Sequence, residues 1–229
     1  MVYDHTALDT YIRYLRLKHQ FAKLEDSALV IDYLKCLREK NEVFFFDAVT
    51  DVMCQQYYVT SKCTDCLCPA LGNRYIKDAV VAYIAEEQNH DRLILSSIKE
   101  ISSKPVQDFY FAPEIMIETG LIRYAAYVCP LSFSCLVSIM EGSSYPDHDP
   151  VGLLLLASSR PSSARGIEAH FQIKKTHNHT AIPETFVKNL PPVTKNVAIS
   201  ALRMTEIAIK LDAEMPCMLH ARFKGKYVQ

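Results

Sequence analysis

The sequence has no tryptophan, only six glycines, and charges that nearly cancel, with a formal net charge of −1. It shows no glycine-rich phosphate-binding loop and no basic stripe, so we expect no nucleic-acid partner. The most apolar stretches, 124–140 and 151–157, are too short for a membrane span, and the longer one is rich in serine and cysteine. Residues 1–9 are polar and do not resemble a secretory signal. We therefore expect a soluble, cytoplasmic protein without a membrane partner.

Cysteine is plentiful, with eight residues, but its spacing is poorly suited to a structural zinc site. Cys63, Cys66 and Cys68 form a C-x2-C-x-C motif in a predicted loop, 59–72, and no second ligand pair with matching spacing accompanies them. The other five cysteines are scattered. We interpret all eight as reduced thiols of a cytosolic protein. A metal or redox role for the Cys63–Cys68 motif stays open.

The hydrophobic pattern is helical along nearly the whole chain. With 229 residues and 49% hydrophobic content, the chain is long enough for one sizeable core, so we expect a single domain spanning 1–229. No alternating strand pattern exceeds about five residues. The sequence therefore predicts an all-α fold, a compact bundle of six to eight helices. The main expected helices are 7–22, 27–40, 42–58, 75–98, 121–141, 162–177 and 194–213.

Two polar residues interrupt the apolar stripe of the predicted 75–98 helix. The stripe consists of Ile76, Val80, Tyr83, Glu87, His90, Ile94 and Ile98. Their alternating spacing of four and three places them on one face of a helix, so Glu87 and His90 are expected to point into the core. A buried carboxylate normally needs a partner, a proton or a metal ion. Glu-x-x-His is also a spacing with which helix bundles hold metal.

Two further helices are expected to bring similar side chains to the core. His170, Lys174 and His177 share one face of the predicted 162–177 helix. Glu141 ends the long apolar helix, which we expect to be central and buried, and kinked if Pro130 lies inside it. Histidine and carboxylate ligands suit iron or manganese. The structural alternatives are a hydrogen-bonded core histidine, an ion pair of Lys174 with Glu87 or Glu141, and a solvent-exposed Glu141. Because three helices each contribute, the pattern favours a metal or polar cofactor pocket.

The order of these features resembles the haem-oxygenase-like helical superfamily, which includes thiaminase II and pyrroloquinoline-quinone synthase. Within it, the chain is most similar to the haem-oxygenase-like di-metal oxidases, the iron-containing redox enzymes. In those oxidases one core helix supplies a Glu and a His, the next a Glu, and a third His-x3-Asp-x2-His. Glu87 and His90 match the first, Glu141 the second, and His170 and His177 the ends of the third. The resemblance implies an oxidoreductase that activates O2 at non-haem iron or manganese and oxidises a small molecule.

Lys174 departs from that family pattern, because it stands where the oxidases have an aspartate. A lysine cation cannot replace a carboxylate ligand and would repel a nearby metal. Three outcomes follow: one metal ion per chain, a labile second site, or a metal-free pocket. In the metal-free case Lys174 carries the chemistry of a cofactor-biosynthesis enzyme or small-molecule binder, with Arg165 and His177 helping to hold an anionic substrate.

An interaction module is the third hypothesis. The polar cluster would then be structural, and the aromatic residues at 57–58 and 109–111 would form a partner surface. The same aromatics could instead anchor loops on the core. The sequence leaves a homodimer open.

Overall fold

The computed structural model of the protein describes residues 2–3, 27–141, 147–176 and 181–227. In chain order the helices are α1 (27–40), α2 (Glu42–Leu67), α3 (Lys77–Glu87), α4 (His90–Ile101), α5 (Pro113–Val128), α6 (Pro130–Glu141), α7 (Pro150–Leu156), α8 (Ala164–Thr176), α9 (Ile182–Asn189) and α10 (Lys195–Tyr227). One antiparallel pairing joins strand β1 (Val2–Tyr3) to β2 (Val193–Thr194). The all-α class is confirmed, and the helices in these ranges outnumber the six to eight expected. None of them combines the length and apolarity needed to cross a membrane.

Helix α2 begins where the sequence predicts and ends later. The Asn41 side chain caps it by accepting hydrogen bonds from the backbone N–H groups of Val43 and Phe44, at 3.1 and 3.2 Å. The helix continues to Leu67, so Cys63 and Cys66 are buried on a helix face and do not lie in a loop, as we had predicted. The prediction was wrong because the many polar residues after position 58 obscure the spacing of three that places Cys63 and Cys66 on the inward face of the helix. The predicted helix at 7–22 lies outside the described residues.

The apolar stripe with Glu87 and His90 is confirmed, but the single helix predicted to carry it is wrong. All seven stripe residues are buried, and a break after Glu87 separates α3 from α4. Gln88 has φ −61° and ψ 129°, and Asn89 has φ 69° and ψ 8°. These are the dihedral angles of a type II turn, which favours Gly or Asn at its third position. The turn keeps Glu87 and His90 on the same side of the chain.

Asn89 should therefore be sensitive to substitution through its backbone conformation. We expect Asn89→Ala to lower the free energy of unfolding by about 1 kcal/mol, because a left-handed conformation costs a residue with a Cβ about that much. Asn89→Gly should retain or slightly increase stability, since glycine adopts positive φ without that cost. Urea unfolding of both variants measures the difference. Equal losses in the two variants would show that the Asn89 side chain, and not its φ, matters.

The long apolar stretch divides into two helices with different surroundings. Cys129 is extended, with φ −153° and ψ 99°, and α6 begins at Pro130. A proline disfavours helical dihedral angles at the residue before it and is well suited to the first turn of a helix. Helix α6 is buried on nearly every side, as predicted for a central helix. Helix α5 is not, because one of its faces is exposed, so the prediction of one central helix at 121–141 is wrong.

Helices α4 and α8 approach each other unusually closely at Gly166. A Cβ atom added there would lie 2.1 Å from the carbonyl oxygen of Leu93. The next residue, Ile167, donates its backbone N–H to the Ser97 hydroxyl oxygen at 3.0 Å. This contact fixes the position of α8 and thereby the position of the imidazole of His170, one turn later.

The basic residues Arg222, Lys224 and Lys226 belong to α10. Helix α10 continues past 213 to Tyr227. The Arg222 guanidinium donates to the buried Asp51 carboxylate at 3.0 Å and lies 3.9 Å from the Tyr110 ring centroid. A charge-assisted hydrogen bond and a cation–π contact thus hold the end of α10 against α2.

The aromatic residues at 57–58 and 109–111 anchor the segment between α4 and α5. Tyr57 contacts Phe109 edge to face at 5.8 Å between ring centroids, and Tyr58 lies 4.8 Å from Phe111. Gln55 also donates to the Tyr110 carbonyl at 2.9 Å. These contacts support the loop-anchor interpretation over a partner surface.

Candidate functional site

The candidate site lies where α3, α4, α6 and α8 meet. Glu87 ends α3, His90 begins α4, Glu141 ends α6, and His170 lies on α8. Their exposed fractions are 5%, 3%, 6% and 8%, so all four point into the core, as the spacing predicts. The fifth predicted metal ligand, His177, lies outside the described residues.

Glu87, His90 and His170 form one half of the buried cluster. The Nδ1 atom of His90 is 3.1 Å from the Glu87 Oε2 atom, and the rings of His90 and His170 meet edge to face with centroids 5.3 Å apart. Within the described part of the chain, His170 Nε2 is buried without a hydrogen-bond partner. Burial, with the neighbouring Lys174 charge, lowers the pKa of His170 to about 3. His170 is therefore neutral at physiological pH.

Glu141, with its partners Tyr83 and Lys174, forms the other half of the buried cluster. The Tyr83 hydroxyl donates to Glu141 Oε1 at 2.5 Å, and the Lys174 ammonium nitrogen lies 3.3 Å from Oε2. Both carboxylate oxygens are thus contacted by donors of the protein. Burial raises the pKa of Tyr83 well above its usual range, so its hydroxyl stays protonated and remains a donor.

Lys174 is the cation of this cluster. Desolvation alone would lower the pKa of Lys174, but the nearby Glu141 and Glu87 carboxylates raise it above its ordinary value. The side chain therefore carries its positive charge at neutral pH. About a third of the side chain, 33%, is exposed, so Lys174 lies at the edge of the buried cluster. The sequence left two partners open for Lys174, and the structure pairs it with Glu141.

Two neighbours of the cluster were missed as site residues. Tyr83 was assigned to the apolar stripe, although a buried tyrosine hydroxyl usually needs a hydrogen-bond partner, which is the signal that could have identified it. Burial raises the pKa of the Cys63 thiol well above its ordinary value, and the nearby charges of Glu87 and Glu141 raise it further. It is therefore a thiol and not a thiolate. A cavity lined by Cys63, Tyr83 and Met140, among others, has room for about one water molecule.

Arg165 does not join the site. It pairs with Glu100 on the outer side of α8, at 3.7 Å, and most of its side chain is exposed. The predicted basic pocket therefore lacks one of its members, and Lys174 is the cation next to the buried carboxylates. In the described ranges, no group of three or more His, Cys, Asp or Glu side chains is arranged to hold a metal ion.

Comparison with protein families, curated proteins and solved structures gives no match for this chain. The site combines two buried carboxylates, one ammonium, an uncharged imidazole and a tyrosine hydroxyl donor. These groups can accept a proton, donate hydrogen bonds and stabilise a negative oxygen.

Proposed function

We propose that the protein is a metal-free enzyme or binding protein for a small polar metabolite, built on a haem-oxygenase-like bundle, with Lys174 as its central cation. The observation that carries this proposal is the pairing of both Glu141 oxygens with Tyr83 and Lys174. A buried carboxylate between helices needs a balancing charge. The Lys174 ammonium supplies that charge from within the chain, at the position where the resembling oxidases have an aspartate.

A two-metal centre does not fit these residues. The Lys174 ammonium is 3.3 Å from Glu141 Oε2, so a second metal bound to Glu141 would lie close to a positive charge that repels it. Tyr83 holds the other oxygen of the same carboxylate. These two contacts favour the metal-free alternative over a di-iron or di-manganese oxidase.

The proposed chemistry follows from the donors and acceptors of the cluster. The Lys174 ammonium has three N–H donors, and Glu141 accepts a hydrogen bond from one of them. A second N–H group can therefore donate to a carboxylate or carbonyl oxygen of a ligand. In an enzyme, Lys174 would stabilise negative charge that develops on that oxygen, and Glu141 would accept a proton from the ligand. Tyr83 orients Glu141, and the neutral His170 presents Nε2 as a second polar contact.

Thermal stabilisation by ligands tests this function. We expect some small carboxylate-bearing metabolites to raise the melting temperature, and Fe(II) and Mn(II) not to, because a ligand stabilises the state that binds it. Lys174→Ala should abolish the shift. Lys175→Ala is the matched control, since Lys175 is next in sequence but pairs with Asp147 at the surface. Stabilisation by metals alone, or undiminished ligand binding by Lys174→Ala, would rule the proposal out.

A second candidate is an O2-activating oxidoreductase with one iron or manganese ion per chain. The buried, neutral His170 Nε2 supports it, because a neutral imidazole is a good ligand for either metal. Because the described side chains are not arranged around an ion, Glu87, His90 and His170 would have to reorient to hold it, and the ion would supply O2 activation when bound. Titration with Mn(II) would then show one site per chain in the wild type and none in His170→Gln. Unchanged melting temperature at saturating Mn(II) would argue against it.

A further inference from the structure

Helix α5 is apolar on two opposite faces, and the bundle covers one of them. The inward face includes the buried Ile115, Ile122 and Ala125. The other, which we call the α5 outer face, consists of Met116, Ile117, Gly120, Tyr124, Tyr127 and Val128. Its five large side chains are between 48% and 68% exposed. Such all-round hydrophobicity is typical of a helix that is covered on every side.

The outer face is continuous and nearly uncharged. Successive members are one, three or four residues apart and fall on one side of a helix. Among the charged residues of α5, Glu118 is buried and Glu114 is half-buried, which leaves Arg123, at the edge of the face, as the exposed one. The exposed side chains present roughly 500 Å² of apolar surface, which lies in the upper part of the ~300–600 Å² range of the largest patch on a typical monomer, a patch that is often functional.

We propose that a second copy of this chain covers the α5 outer face, with the two α5 helices crossing antiparallel at Gly120 about a two-fold axis. A Cβ at Gly120 would meet no atom of the described residues within 4 Å, so in this part of the structure the middle of the face is open to a close neighbour. Antiparallel pairing about this residue places Met116 opposite Tyr124 of the second copy. The same contact occurs twice, as a two-fold interface requires.

The size and chemistry of the face fit that occupant. Two copies would bury about 1,000 Å² together, which is the size of a weak or transient protein interface. Methionine against tyrosine is a favourable pair, and aromatic residues and methionine are enriched at interface centres. A face with a single peripheral charge, Arg123, offers no recognition of a strongly acidic or basic partner, whereas it matches a second apolar face of the same kind.

The oligomeric state tests the proposal. We expect light scattering after gel filtration to give an average mass that rises from about one toward two chain masses as the eluted concentration increases through about 10 µM, because a small interface provides an affinity near that value. Tyr124→Glu should give the monomer mass with a normal helical circular-dichroism spectrum. Val81→Glu is the control, because Val81 is similarly exposed, at 49%, but lies on α3, and it should remain dimeric. A monomeric wild type at about 100 µM would overturn the proposal, whatever else covers the face.

Cross-linking tests the crossing point without destabilising charges. Gly120→Cys should form a disulfide-linked dimer on mild oxidation far faster than the wild type with its native cysteines, because the two-fold axis brings the two positions together. Gly225→Cys is the matched control, since Gly225 is on α10 and a Cβ there also meets no described residue within 4 Å. Equal cross-linking of the two variants would contradict the proposed interface.

Discussion

Replacing Lys174 with methionine is expected to lower the free energy of unfolding by about 3 kcal/mol. The change removes the ammonium that lies 3.3 Å from Glu141 and leaves that buried carboxylate with the Tyr83 donor but without its balancing charge. Removing one partner of a buried ion pair typically costs about 3–5 kcal/mol, and the partial exposure of Lys174 places the effect at the lower end. Urea unfolding at pH 7 measures it.

A double-mutant cycle separates this ion pair from a packing defect. Glu141→Gln removes the charge that Lys174 balances. In that background, the loss of unfolding free energy caused by Lys174→Met should therefore be smaller by about 1–2 kcal/mol. Lys175→Met, which affects an exposed pair with Asp147, should change stability by less than about 0.5 kcal/mol. The same loss for Lys174→Met in both backgrounds would show that the lysine contributes by packing and not by charge.

Gly166→Ala is expected to destabilise the protein by about 3 kcal/mol or more. The added Cβ would lie 2.1 Å from the Leu93 carbonyl oxygen, a backbone atom that moves only with helix α4. Overpacking at a rigid contact costs about 1–3 kcal/mol and sometimes more. The added methyl group should push helices α4 and α8 apart. Because α4 carries His90 and α8 carries His170, the contact between these two rings should also be disturbed.

Gly152→Ala is the matched control for Gly166→Ala. Its Cβ would also lie 2.1 Å from another atom, but that atom is Oε1 of Glu168, at the end of a flexible side chain that can rotate away. We therefore expect a loss of less than about 1 kcal/mol from Gly152→Ala in the same urea experiment. Similar losses in the two variants would mean that the α4–α8 contact is not rigid.

The helices with strong amphipathic patterns could be predicted from the sequence, and their interruptions were harder to place. The stripe from Ile76 to Ile98 identified Glu87 and His90 as core residues because burial follows the spacing. The break at Gln88 and Asn89 was missed, since neither residue is a glycine or proline. The sequence allows for a kink at Pro130, and the structure shows a full break there, because the proline ring disfavours helical dihedral angles at Cys129.

The composition of the site was more predictable than its pairing. The sequence placed Lys174 among the buried acids, but helix-face spacing cannot say whether it reaches Glu87 or Glu141, because that depends on how α6 and α8 pack. Tyr83 counted as an apolar residue, and only its contact with Glu141 reveals its role. Hydrophobicity alone also could not show that one side of α5 is exposed.

The metal content of the purified protein tests most directly whether Lys174 replaces a metal ion as the central cation. The measurement is elemental analysis of wild-type protein produced with added iron and manganese and purified without chelator. We expect less than about 0.1 equivalent of either metal per chain, because the Lys174 charge repels a cation next to Glu141. About one equivalent of iron or manganese, lost in His90→Ala, would contradict this account.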